Sequence, residues 1–592
     1  MHPAPPFILL DCPDADGRDL LLYEHPCEII EAKDPRKPFE VSEAFARMEQ
    51  ARGAGFHLAG YFPYELGYLL QPRRDKLYEH NFELGLPLLW FGVFDPPQRL
   101  ARADLRARGR AYTGPLRYSW TAGEYRQSFD WVKRYIRDGD IYQANLAFRS
   151  YFTFAGDPFA LWLALRDTAA VRHGAYIDAG ERQILSLSPE LHFSITADRQ
   201  MECRPMKGTA PRGDDPQSDE ERRRALAKSP KDRAENLMIV DLMRNDMSRI
   251  AETGSVCVPE LFRVETYPSL HTMISVVKAK LRRGVGIQEL IKAVFPCGSV
   301  TGAPKLRAME IIREQETGTR GVYCGSIGHF APDGSASFNV AIRTMLIEGD
   351  RGLLGLGGGV VQDSTAASEY AECLLKAQFF KRNRKPLRLI ETLRYSGGFV
   401  DLDRHLARLR NSERVFFWHW FNEDSAREAL DATVAGRDGD LRVRLTLNES
   451  GKFTASAEPL EPNPDFWKFA LSPERVDSSD VLLRHKTTWR ELYERESRRV
   501  ARGGVDEVVF LNERGELTEG SRSNLFVRRN GNLVTPPISS GLLPGILRGK
   551  LLESGECTEE ILHPHDLDTA EEIFLGNSLR GLIPAQLILP RA

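Results

Sequence analysis

The sequence lacks the features that mark a membrane, secreted or nucleic-acid-binding protein. Its formal net charge is only -3 over 592 residues, and its basic clusters, residues 222–224 and 381–385, are short. No apolar run approaches the roughly 20 residues that cross a bilayer. Residues 1–6 contain no basic region, and the apolar run that follows covers only residues 7–10. We therefore expect no nucleic-acid partner, no membrane segment and no signal peptide.

Paired cysteines and nucleotide-binding loops are also missing. The eight cysteines are scattered, and no two of them form a Cys-x-x-Cys pair. This spacing suggests neither a zinc knuckle nor a disulfide framework, so a reducing cytoplasm is the expected compartment. The glycine-rich stretches match neither a Walker A loop nor a dinucleotide fingerprint, and no fixed-period repeat is present.

Length and composition indicate more than one globular domain. The chain has 592 residues, of which 42% are hydrophobic and 28% charged. That length exceeds one ordinary domain, and the composition is typical of globular proteins. The clearest candidate for a domain boundary lies at residues 378–386, where a helical pattern is followed by a basic stretch that ends at Pro386. We predict domains at 1–384, with a core at about 120–380, and at 385–592.

Both halves mix helical and strand patterns, which predicts the α+β class. Period-two and apolar runs predict strands at 183–188, 353–359, 387–393, 507–511 and 524–527. Amphipathic patterns predict helices at 232–249, 368–380 and 403–418. Residues 513–516 predict a hairpin turn between the strands at 507 and 524.

Two of the predicted helices carry paired acids. Asp232 and Glu235 are three residues apart, as are Glu369 and Glu372. Each pair therefore lies on one face of its helix. Four carboxylates meeting from two helices would suit magnesium and an anionic substrate. Two solvated faces with salt bridges give the same spacing, and spacing alone favours that alternative.

Glycine-rich loops and one arginine suggest an anion site. Residues 297–305 and Gly357, Gly358 and Gly359 allow backbone N–H groups to approach an anion. Arg343 offers a bidentate grip on a carboxylate. Ordinary turns and a surface arginine remain the alternative.

A set of ordered motifs gives the first half a family resemblance. They are Ile-Tyr-Gln-Ala-Asn-Leu at 141–146, Ser-Pro-Glu at 188–190, Arg-Pro-Met-Lys-Gly-Thr at 204–209, and the runs at 58–67, 234–246, 298–305, 320–325, 341–344 and 369–377. In content and order they resemble the chorismate-utilising enzymes, which include anthranilate, aminodeoxychorismate and isochorismate synthases. The resemblance implies a β-sandwich core flanked by helices.

The same resemblance implies roles for individual residues. Glu235 and Glu372, with Asp232 and Glu369 beside them, match magnesium-binding positions, and Glu190 matches the general acid. His271 matches a histidine near the ring, although a core or surface histidine is the alternative. The positions that match the surroundings of the substrate carboxylates are Ser299, Thr301, Gly302, Tyr323, Arg343, Gly357, Gly358 and Gly359.

Two residues distinguish members of that family. Gln143 stands where the water-adding enzymes have a lysine base, which favours ammonia as the nucleophile. Lys207 stands where anthranilate synthases usually have alanine, and in aminodeoxychorismate synthases this lysine attacks the ring covalently. It can do so only when unprotonated, hence partly desolvated. No glutaminase motif is present, so the resemblance implies a separate glutamine amidotransferase subunit that supplies ammonia.

The second half resembles the class IV aminotransferase family, which binds pyridoxal phosphate and has two subdomains. The motifs lie at 390–394, 405–409, 517–526, 543–548 and 576–579, together with Lys486. The resemblance makes Lys486 the Schiff-base lysine and Glu519 the partner of the pyridine nitrogen. It assigns the phosphate to Arg408, Ser578 and the backbone of Ile546 and Leu547, and it implies a homodimer through this half. Asn524 either braces the turn or touches the cofactor.

Together the two resemblances imply two consecutive reactions in folate biosynthesis. The first half would convert chorismate and ammonia to aminodeoxychorismate, and the second would eliminate pyruvate to give 4-aminobenzoate. One alternative is an anthranilate synthase-like half fused to a branched-chain or D-amino acid aminotransferase. A regulatory protein that only binds such anions is another, but it predicts a lost acid or lysine, and none is lost.

Overall fold

The computed structural model describes residues 3–12, 19–34, 37–70, 85–168, 171–267, 270–416 and 418–588. Met1 and His2, part of the stretch used to argue against a signal peptide, lie outside these ranges, as does Phe417 in the helix predicted at 403–418. The chain forms two compact units. One comprises Met1–Arg106, Pro115–Phe152 and Trp162–Asn383, and the other comprises Ala107–Gly114, Thr153–Leu161 and Arg384–Ala592.

The first unit contains two large, mostly antiparallel sheets. One has the strand order Gly302–Ala303, Gln143–Gly156, Arg351–Val360, Thr344–Glu348, Arg182–Ser186, Ala175–Asp178, Phe7–Asp11, Leu20–Glu24 and Gln98–Leu100, with Arg117–Tyr118 beside the second strand. The other has the order Met206–Pro211, Leu270–Lys280, Gln200–Cys203, Leu191–Ile195, Ala336–Asn339, Ser326–Phe330, His57–Phe62, Leu89–Phe94 and Glu28–Ala32, with Cys257–Thr266 beside the second strand.

The two sheets pack against each other through apolar side chains. Ile8 and Ile177 of the first sheet share one buried cluster with Tyr61 and Trp90 of the second. Burying such side chains contributes about 1.5–3 kcal/mol each. This arrangement confirms the predicted β-sandwich core and, with the helices around it, the α+β class.

Helices cover the outer faces of this sandwich. Their bounds are Pro38–Gly53, Leu66–Leu70, Ala122–Arg137, Pro216–Lys228, Pro230–Ser248, Ile287–Val294, Lys305–Gln315, Ala366–Lys376 and Gln378–Asn383. The helix Pro158–Thr168 contributes residues to both units. The helix predicted at 232–249 begins two residues earlier, because Ser229 caps it and Pro230 occupies its first position.

The second unit has two layers of its own. A three-stranded sheet, Arg388–Tyr395, Leu441–Asn448 and Phe453–Pro459, packs on the helices Leu402–Val415 and Glu423–Val434. A larger sheet has the order Leu517–Gly520, Glu507–Asn512, Trp467–Val476, Gly581–Leu587, Glu572–Asn577, Asn524–Arg529, Asn532–Thr535 and Cys557–Glu559. The other helices are Glu491–Ala501, Ile546–Glu553 and Pro564–Asp568. The two sheets confirm the predicted two-subdomain architecture.

One strand of the larger sheet was not predicted. Residues 513–516 form the expected hairpin turn, but the chain then enters the strand Leu517–Gly520 before it reaches Asn524–Arg529. Leu517–Gly520 pairs with strands on both sides and so closes part of the sheet into a ring. Its central residues are polar, so neither a period of two nor an apolar run reveals it.

The structure bears on two features that the sequence analysis does not expect, a membrane-spanning helix and a disulfide framework. In the described part of the chain, no helix is long and apolar enough to cross a membrane. All eight cysteines carry free thiols.

Candidate active sites

The first unit contains a cavity of about 270 Å³ at the ends of several strands and two helices. Its charged lining residues are Glu190, Lys207, Lys231, Asp232, Glu235, Arg343, Glu369, Glu372 and Lys376. Its other lining residues include Asn145, Ser299, Tyr323, Gly357, Gly359 and Phe379. The cavity thus brings together most of the residues that the sequence singles out in this half.

The four predicted acids all line this cavity. Asp232 and Glu235 project from Pro230–Ser248, and Glu369 and Glu372 from Ala366–Lys376. Burial raises the pKa of Glu235, and the charges of Asp232 and Glu369 add to that effect, which shows that acids of the two helices face each other. The two pairs thus line one cavity, while Glu372 also remains half-exposed and pairs with Lys376, so their assignment to magnesium stays a prediction.

Lysines and a serine hold these acids in place. Lys376 Nζ lies 2.9 Å from Glu372 Oε1, and Lys231 Nζ lies 3.9 Å from Glu235 Oε1. The hydroxyl of Ser364 donates to Glu369 Oε1 at 2.7 Å. The carboxylates are thus partly compensated before any ligand enters.

Glu190 is a buried acid at the wall of the cavity. Only 4% of the residue is exposed, and its Oε1 has no hydrogen-bond partner among the described residues. Burial raises its pKa to about 7, against the opposing effects of Ser299 and Lys207. Glu190 can therefore carry a proton near neutral pH, as a general acid must.

Lys207 lies close to Gln143 and to the glycine-rich strand end. A side-chain Cβ placed on Gly359 would lie 3.0 Å from both Lys207 Nζ and Gln143 Nε2. Gln143 is fully buried, and neither atom of its amide group has a partner in the part of the chain that is described. A buried amide with unused donors and an acceptor beside a lysine suits a small polar ligand.

Arg343 faces the cavity without an acidic partner. Its guanidinium makes no hydrogen bond or ion pair with any described residue, and burial lowers its pKa. Its φ of 50° lies in the left-handed region, which is strained for a residue other than glycine. A desolvated arginine of this kind suits an anionic ligand.

The position of Tyr323 explains why two residues of the neighbouring strand are glycines. A Cβ on Gly355 would lie 2.2 Å from the Tyr323 ring, and one on Gly357 would lie 3.0 Å from its hydroxyl. Tyr323 is buried and lines the cavity beside Arg343. The glycines therefore make room for an aromatic side chain with a polar tip.

Five of the predicted substrate residues lie outside the lining of this cavity, namely the buried Gln143 described above and four others. His271 is buried, and its ring nitrogens lie 2.9 Å from Asp219 Oδ1 and 2.9 Å from Thr266 Oγ1. Thr301 donates to Cys297 O at 2.8 Å. Gly302 pairs with Ala144, and Gly358 faces the Glu369 side chain. Their assignments to the substrate stay predictions.

The second unit contains a cavity of about 240 Å³. It is lined by Ile390, Thr392, Arg408, Arg442, Arg444, Trp467, Lys486, Arg490, Glu519, Gly520, Ser521, Arg522, Ser523, Asn524, Leu543, Gly545, Ile546, Asn577, Ser578, Leu579 and Arg580. All the predicted cofactor residues except Leu547 are among them.

Lys486 is held in this cavity by the neighbouring strand. The N–H of Ile390 donates to the Lys486 carbonyl at 2.8 Å, and Lys486 Nζ donates to Thr392 Oγ1 at 3.1 Å. Burial, with a smaller contribution from the charge of the nearby Arg408, lowers the pKa of Lys486 to about 7. A large fraction of this amine is therefore neutral, hence nucleophilic, near neutral pH.

Glu519 lies on the strand that the sequence did not reveal. Tyr493 donates its hydroxyl proton to Glu519 Oε1 at 3.0 Å, and Asn524 Nδ2 donates to Oε2 at 3.3 Å. Burial raises the pKa of Glu519 to about 7. A cationic group bound next to it would favour its ionised form.

A turn and a short helix form another wall of the second cavity. Gly545 caps the helix Ile546–Glu553, and a Cβ on Gly545 would lie 1.9 Å from Asn524 Oδ1. Asn524 also donates to Leu543 O at 3.1 Å, so it braces this turn. The first N–H groups of such a helix are suited to an anion.

Arg408 lies beside this helix in a buried network. It donates to both oxygens of Glu391, at 3.0 and 2.6 Å, and to Pro544 O at 3.1 Å. Burial opposes ionisation of Glu391, but Arg408 and His405 hold its pKa at about 2. Arg408 is thus fixed in position by a permanent negative charge.

Comparison with known proteins defines the family of the first half. Residues 5–382 match the family model of chorismate binding enzymes. The chain belongs to this family. The predicted resemblance is therefore confirmed. Residues 388–588 match the model of class IV aminotransferases, so this chorismate binding enzyme carries a class IV domain after its first half.

Three relatives show how far the likeness extends. Aminodeoxychorismate synthase component 1 of Klebsiella aerogenes is 44% identical over 48% of this chain and 63% of its own length. The Escherichia coli protein of that name is 44% identical over 53% of this chain and 73% of its own length. Anthranilate synthase component I of Streptococcus pneumoniae shares the fold, at 24% identity and a TM-score of 0.52, over 64% of this chain and 93% of its own.

The chorismate-binding half offers oxygen donors that suit magnesium. Asp232, Glu235, Glu369 and Glu372 supply the carboxylates that this ion prefers. Across the described residues no three acidic, histidine or cysteine side chains form a ready-made metal cluster. Magnesium is commonly held by one or two carboxylates together with waters and an anionic substrate, so the donor set fits the ion.

The class IV half offers a set of groups that suits pyridoxal phosphate. Lys486 supplies an amine that is largely unprotonated from about pH 7 upward, and Glu519 supplies a carboxyl group held by two donors. The helix N-terminus at Ile546 and the fixed guanidinium of Arg408 supply anion donors, and Ser578 lines the same cavity. The side chain of Leu547 packs on Gly576 instead, which leaves its backbone as the predicted contact.

Sequence reasoning missed several charged residues in both cavities. Lys376 pairs with Glu372, and its position four residues later on the same helix is a signal that was available. In the class IV half, Arg442, Arg444, Arg490, Arg522 and Arg580 line the cavity. Arg442 and Arg444 come from one strand, Arg490 from a helix start, and Arg522 and Arg580 from turns, so no single stretch of sequence shows that all five converge.

Proposed function

We propose that residues 1–384 form an aminodeoxychorismate synthase and that residues 385–592 form an aminodeoxychorismate lyase. The observation that carries the proposal is the position of Lys207, which lines the first cavity beside Gln143, near enough to Glu190 for its charge to oppose the rise in the pKa of that acid. The relatives named aminodeoxychorismate synthase component 1 support the first assignment. The class IV match supports the second.

In the first half, substrate binding follows from the charges of the cavity. Arg343 and the backbone near Gly357 would hold one carboxylate of chorismate. Magnesium, held by Glu235 and Glu372 with Asp232 and Glu369 beside them, would neutralise the acids and bind the ring carboxylate. The metal supplies charge stabilisation there, while the protein residues fix the ring.

The chemical step of the first half uses two protein groups. The Lys207 amine attacks the ring as the ring hydroxyl leaves, and Glu190 gives that hydroxyl its proton so that water departs. Ammonia then forms the new C–N bond and displaces the lysine. Gln143 cannot act as a base for water, so it leaves ammonia as the nucleophile. Ammonia would come from a glutamine amidotransferase subunit, as the component names of the relatives suggest.

In the second half, Lys486 moves the proton. Pyridoxal phosphate would supply an electron sink when bound, and Glu519 would hold its ring nitrogen. The Lys486 amine removes the proton from the ring carbon that bears nitrogen, and the ring C–O bond to the enolpyruvyl group breaks as the ring becomes aromatic. The released enolpyruvate takes up a proton and becomes pyruvate. The nitrogen stays on the product, so no second keto acid is needed.

A product assay tests this proposal. The purified chain is incubated with chorismate, magnesium, an ammonium salt and pyridoxal phosphate, and the products are separated by chromatography. We expect 4-aminobenzoate and pyruvate. Anthranilate would contradict the role of Lys207, and aminodeoxychorismate alone would show that the second half is not a lyase.

A further inference from the structure

Two short stretches from the first half of the sequence belong to the second unit. These upstream segments, Ala107–Gly114 and Thr153–Leu161, lie inside the chorismate-binding match, yet in the fold they group with the class IV half. The strand Ala111–Thr113 pairs with residues 154–156 in antiparallel register. The class IV match includes neither segment. The second unit therefore contains a pair of strands that its family match does not cover.

Arg110 of the upstream segments contacts both ends of the stretch that carries Lys486. Its Nε donates to Asp480 Oδ2 at 2.8 Å, and its Nη1 donates to the Trp489 carbonyl at 2.9 Å. Asp480 precedes Lys486 in the chain, and Trp489 follows it. One guanidinium group therefore holds the two ends of this stretch together.

Asp480 also fixes the backbone that leads to the lysine. Its Oδ1 accepts from the N–H of Leu482 at 2.9 Å and so caps the 3₁₀ helix Val481–Arg484, which runs directly into His485 and Lys486. The Asp480 side chain is only 8% exposed. Loss of its ion pair would leave a buried carboxylate without this counter-charge, which is costly. The start of the stretch therefore depends on Arg110.

Tyr112 of the upstream segments packs behind the same stretch. Its ring centre lies 5.1 Å from that of Phe416. Phe416 in turn lies 5.2 Å from the ring of His485, which directly precedes Lys486. The Tyr112 side chain is buried, and its hydroxyl accepts from Trp418 Nε1 at 2.8 Å. The upstream segments thus support the lysine through packing as well as through charge.

Arg110 also lies near the acid on the other side of the second cavity. Burial raises the pKa of Tyr493, and the positive charge of Arg110 opposes that rise, so the two side chains are close. Tyr493 donates to Glu519 Oε1 at 3.0 Å. Arg110 is therefore close to groups that hold both Lys486 and Glu519.

We propose that the upstream segments are an integral part of the second active site and that Arg110 is a positioning residue for Lys486. Arg110 acts through Asp480 and Trp489 and does not itself line the cavity. This inference rests on the proposed role of Lys486, and it extends the second site to side chains from the first half of the sequence. The second reaction therefore depends on residues that lie among the motifs of the first.

Capture of the cofactor by Lys486 tests this positioning in the full chain. Pyridoxal phosphate is added to cofactor-free protein, and the change in its visible absorbance gives the rate at which the lysine binds it. Lys486→Ala supplies the background. Arg110→Ala should slow capture about tenfold, because the amine is displaced. Arg110→Lys keeps a cation beside Asp480 and should slow capture less. Arg106→Ala is the matched control and should behave as the parent does, since Arg106 is exposed and donates to nearby carbonyls.

A double variant tests whether Arg110 acts through Asp480. Asp480→Asn keeps an acceptor for the Leu482 N–H but removes the ion pair. Arg110→Ala combined with Asp480→Asn should capture the cofactor no more slowly than Arg110→Ala alone, because both changes break the same pair. Slowing by the product of the two single effects would overturn the proposed route.

Two reaction rates separate this inference from a loss of folding and from the proposed function. Arg110→Ala should lower kcat for pyruvate release from supplied aminodeoxychorismate about tenfold, with little change in KM. It should form aminodeoxychorismate from chorismate at the rate of the parent. Unchanged capture in Arg110→Ala, or an equal loss of both reactions, would overturn the inference. Slowed capture in Arg110→Ala, when the parent itself releases no pyruvate, would support the inference and overturn the lyase.

Discussion

The two cavities of this chain differ sharply in charge. The first is lined by five acids and four basic residues, and the second by one acid and seven basic residues. The proposed ligands of both cavities are nevertheless dianions. The first cavity therefore needs a cation to hold its substrate, whereas the second carries the required positive charge in its own side chains. This difference explains why carboxylate pairs are found in one half and arginines in the other.

Two buried glutamates sharpen the same contrast. Burial raises the pKa of both Glu190 and Glu519 to about 7. Glu190 keeps one oxygen without a described partner at its cavity, whereas both oxygens of Glu519 accept hydrogen bonds. A free, protonated carboxyl can give its proton to a leaving group. Hydrogen bonds to both oxygens instead stabilise the ionised form of a carboxyl group that lies beside a cation.

The largest expected effect comes from the second cavity. Lys486→Ala should reduce 4-aminobenzoate formation from supplied aminodeoxychorismate by on the order of 10³-fold or more, because the only proposed proton acceptor is lost. Chorismate should still be converted, so aminodeoxychorismate should accumulate, as measured by chromatography. Lys452→Ala, at an exposed lysine of the same half, is the control. Undiminished product from Lys486→Ala would remove the lysine from the reaction.

Removal of magnesium should separate the two halves. Chelation with EDTA should slow aminodeoxychorismate formation by about 100-fold or more, because five acids then face a dianion without a metal. Pyruvate release from supplied aminodeoxychorismate should be unchanged, since the second cavity is cationic without a metal. Addition of magnesium should restore the first rate. If EDTA slowed both steps equally, the proposal that only the first cavity needs a metal cation would be wrong.

The pH dependence of the first step should depend on Glu190. Its raised pKa means that the carboxyl is protonated below about pH 7 and loses its proton above it. The rate of aminodeoxychorismate formation with excess ammonia should therefore fall as the pH rises through about 7. Glu190→Gln, which cannot donate a proton to the hydroxyl, should lower the rate about 100-fold and remove this dependence on pH. If the rate of Glu190→Gln still falls as the pH rises through about 7, another group is responsible for this pH dependence.

The smallest expected effect concerns the glycine beside Lys207. A Cβ at Gly359 would lie 3.0 Å from Lys207 Nζ and from Gln143 Nε2. Gly359→Ala should slow aminodeoxychorismate formation about tenfold by displacing these groups, with no effect on the second half. Gly53→Ala is the control, because a Cβ there meets no atom within 4 Å. Equal rates in the two variants would show that the contact is not limiting.

Much of the architecture was predictable because the chain carries strong local patterns. The amphipathic pattern of residues 232–249 predicted the helix that carries Asp232 and Glu235, although its start at Pro230, after the cap Ser229, was missed. The Val-Val-Phe-Leu run set the strand Glu507–Asn512. The strand Leu517–Gly520 was missed, because its threonine and glutamate are buried by tertiary contacts rather than by their own hydrophobicity.

It was harder to predict which charged residues from distant segments meet in one cavity than to predict which charged residues share one face of a helix. The acids of the first cavity repeat at helical intervals, so a face could be predicted from two residues of one helix. Arg444 and Arg490 come from a strand and a helix start that are far apart in sequence. Only the folded chain shows that they share a cavity. His271 is a residue that the resemblance places near the substrate but that the fold leaves outside the cavity lining. Its two ring nitrogens lie within hydrogen-bond distance of Asp219 and Thr266.

The central claim, two consecutive reactions on one chain, is tested most directly by mixing two variants. Lys207→Ala should make no aminodeoxychorismate but should process it, and Lys486→Ala should make it but not process it. With chorismate, magnesium, ammonium and pyridoxal phosphate, each variant alone should yield no 4-aminobenzoate, and an equal mixture should restore it. Product from Lys207→Ala alone, or none from the mixture while the parent chain is active, would contradict the account.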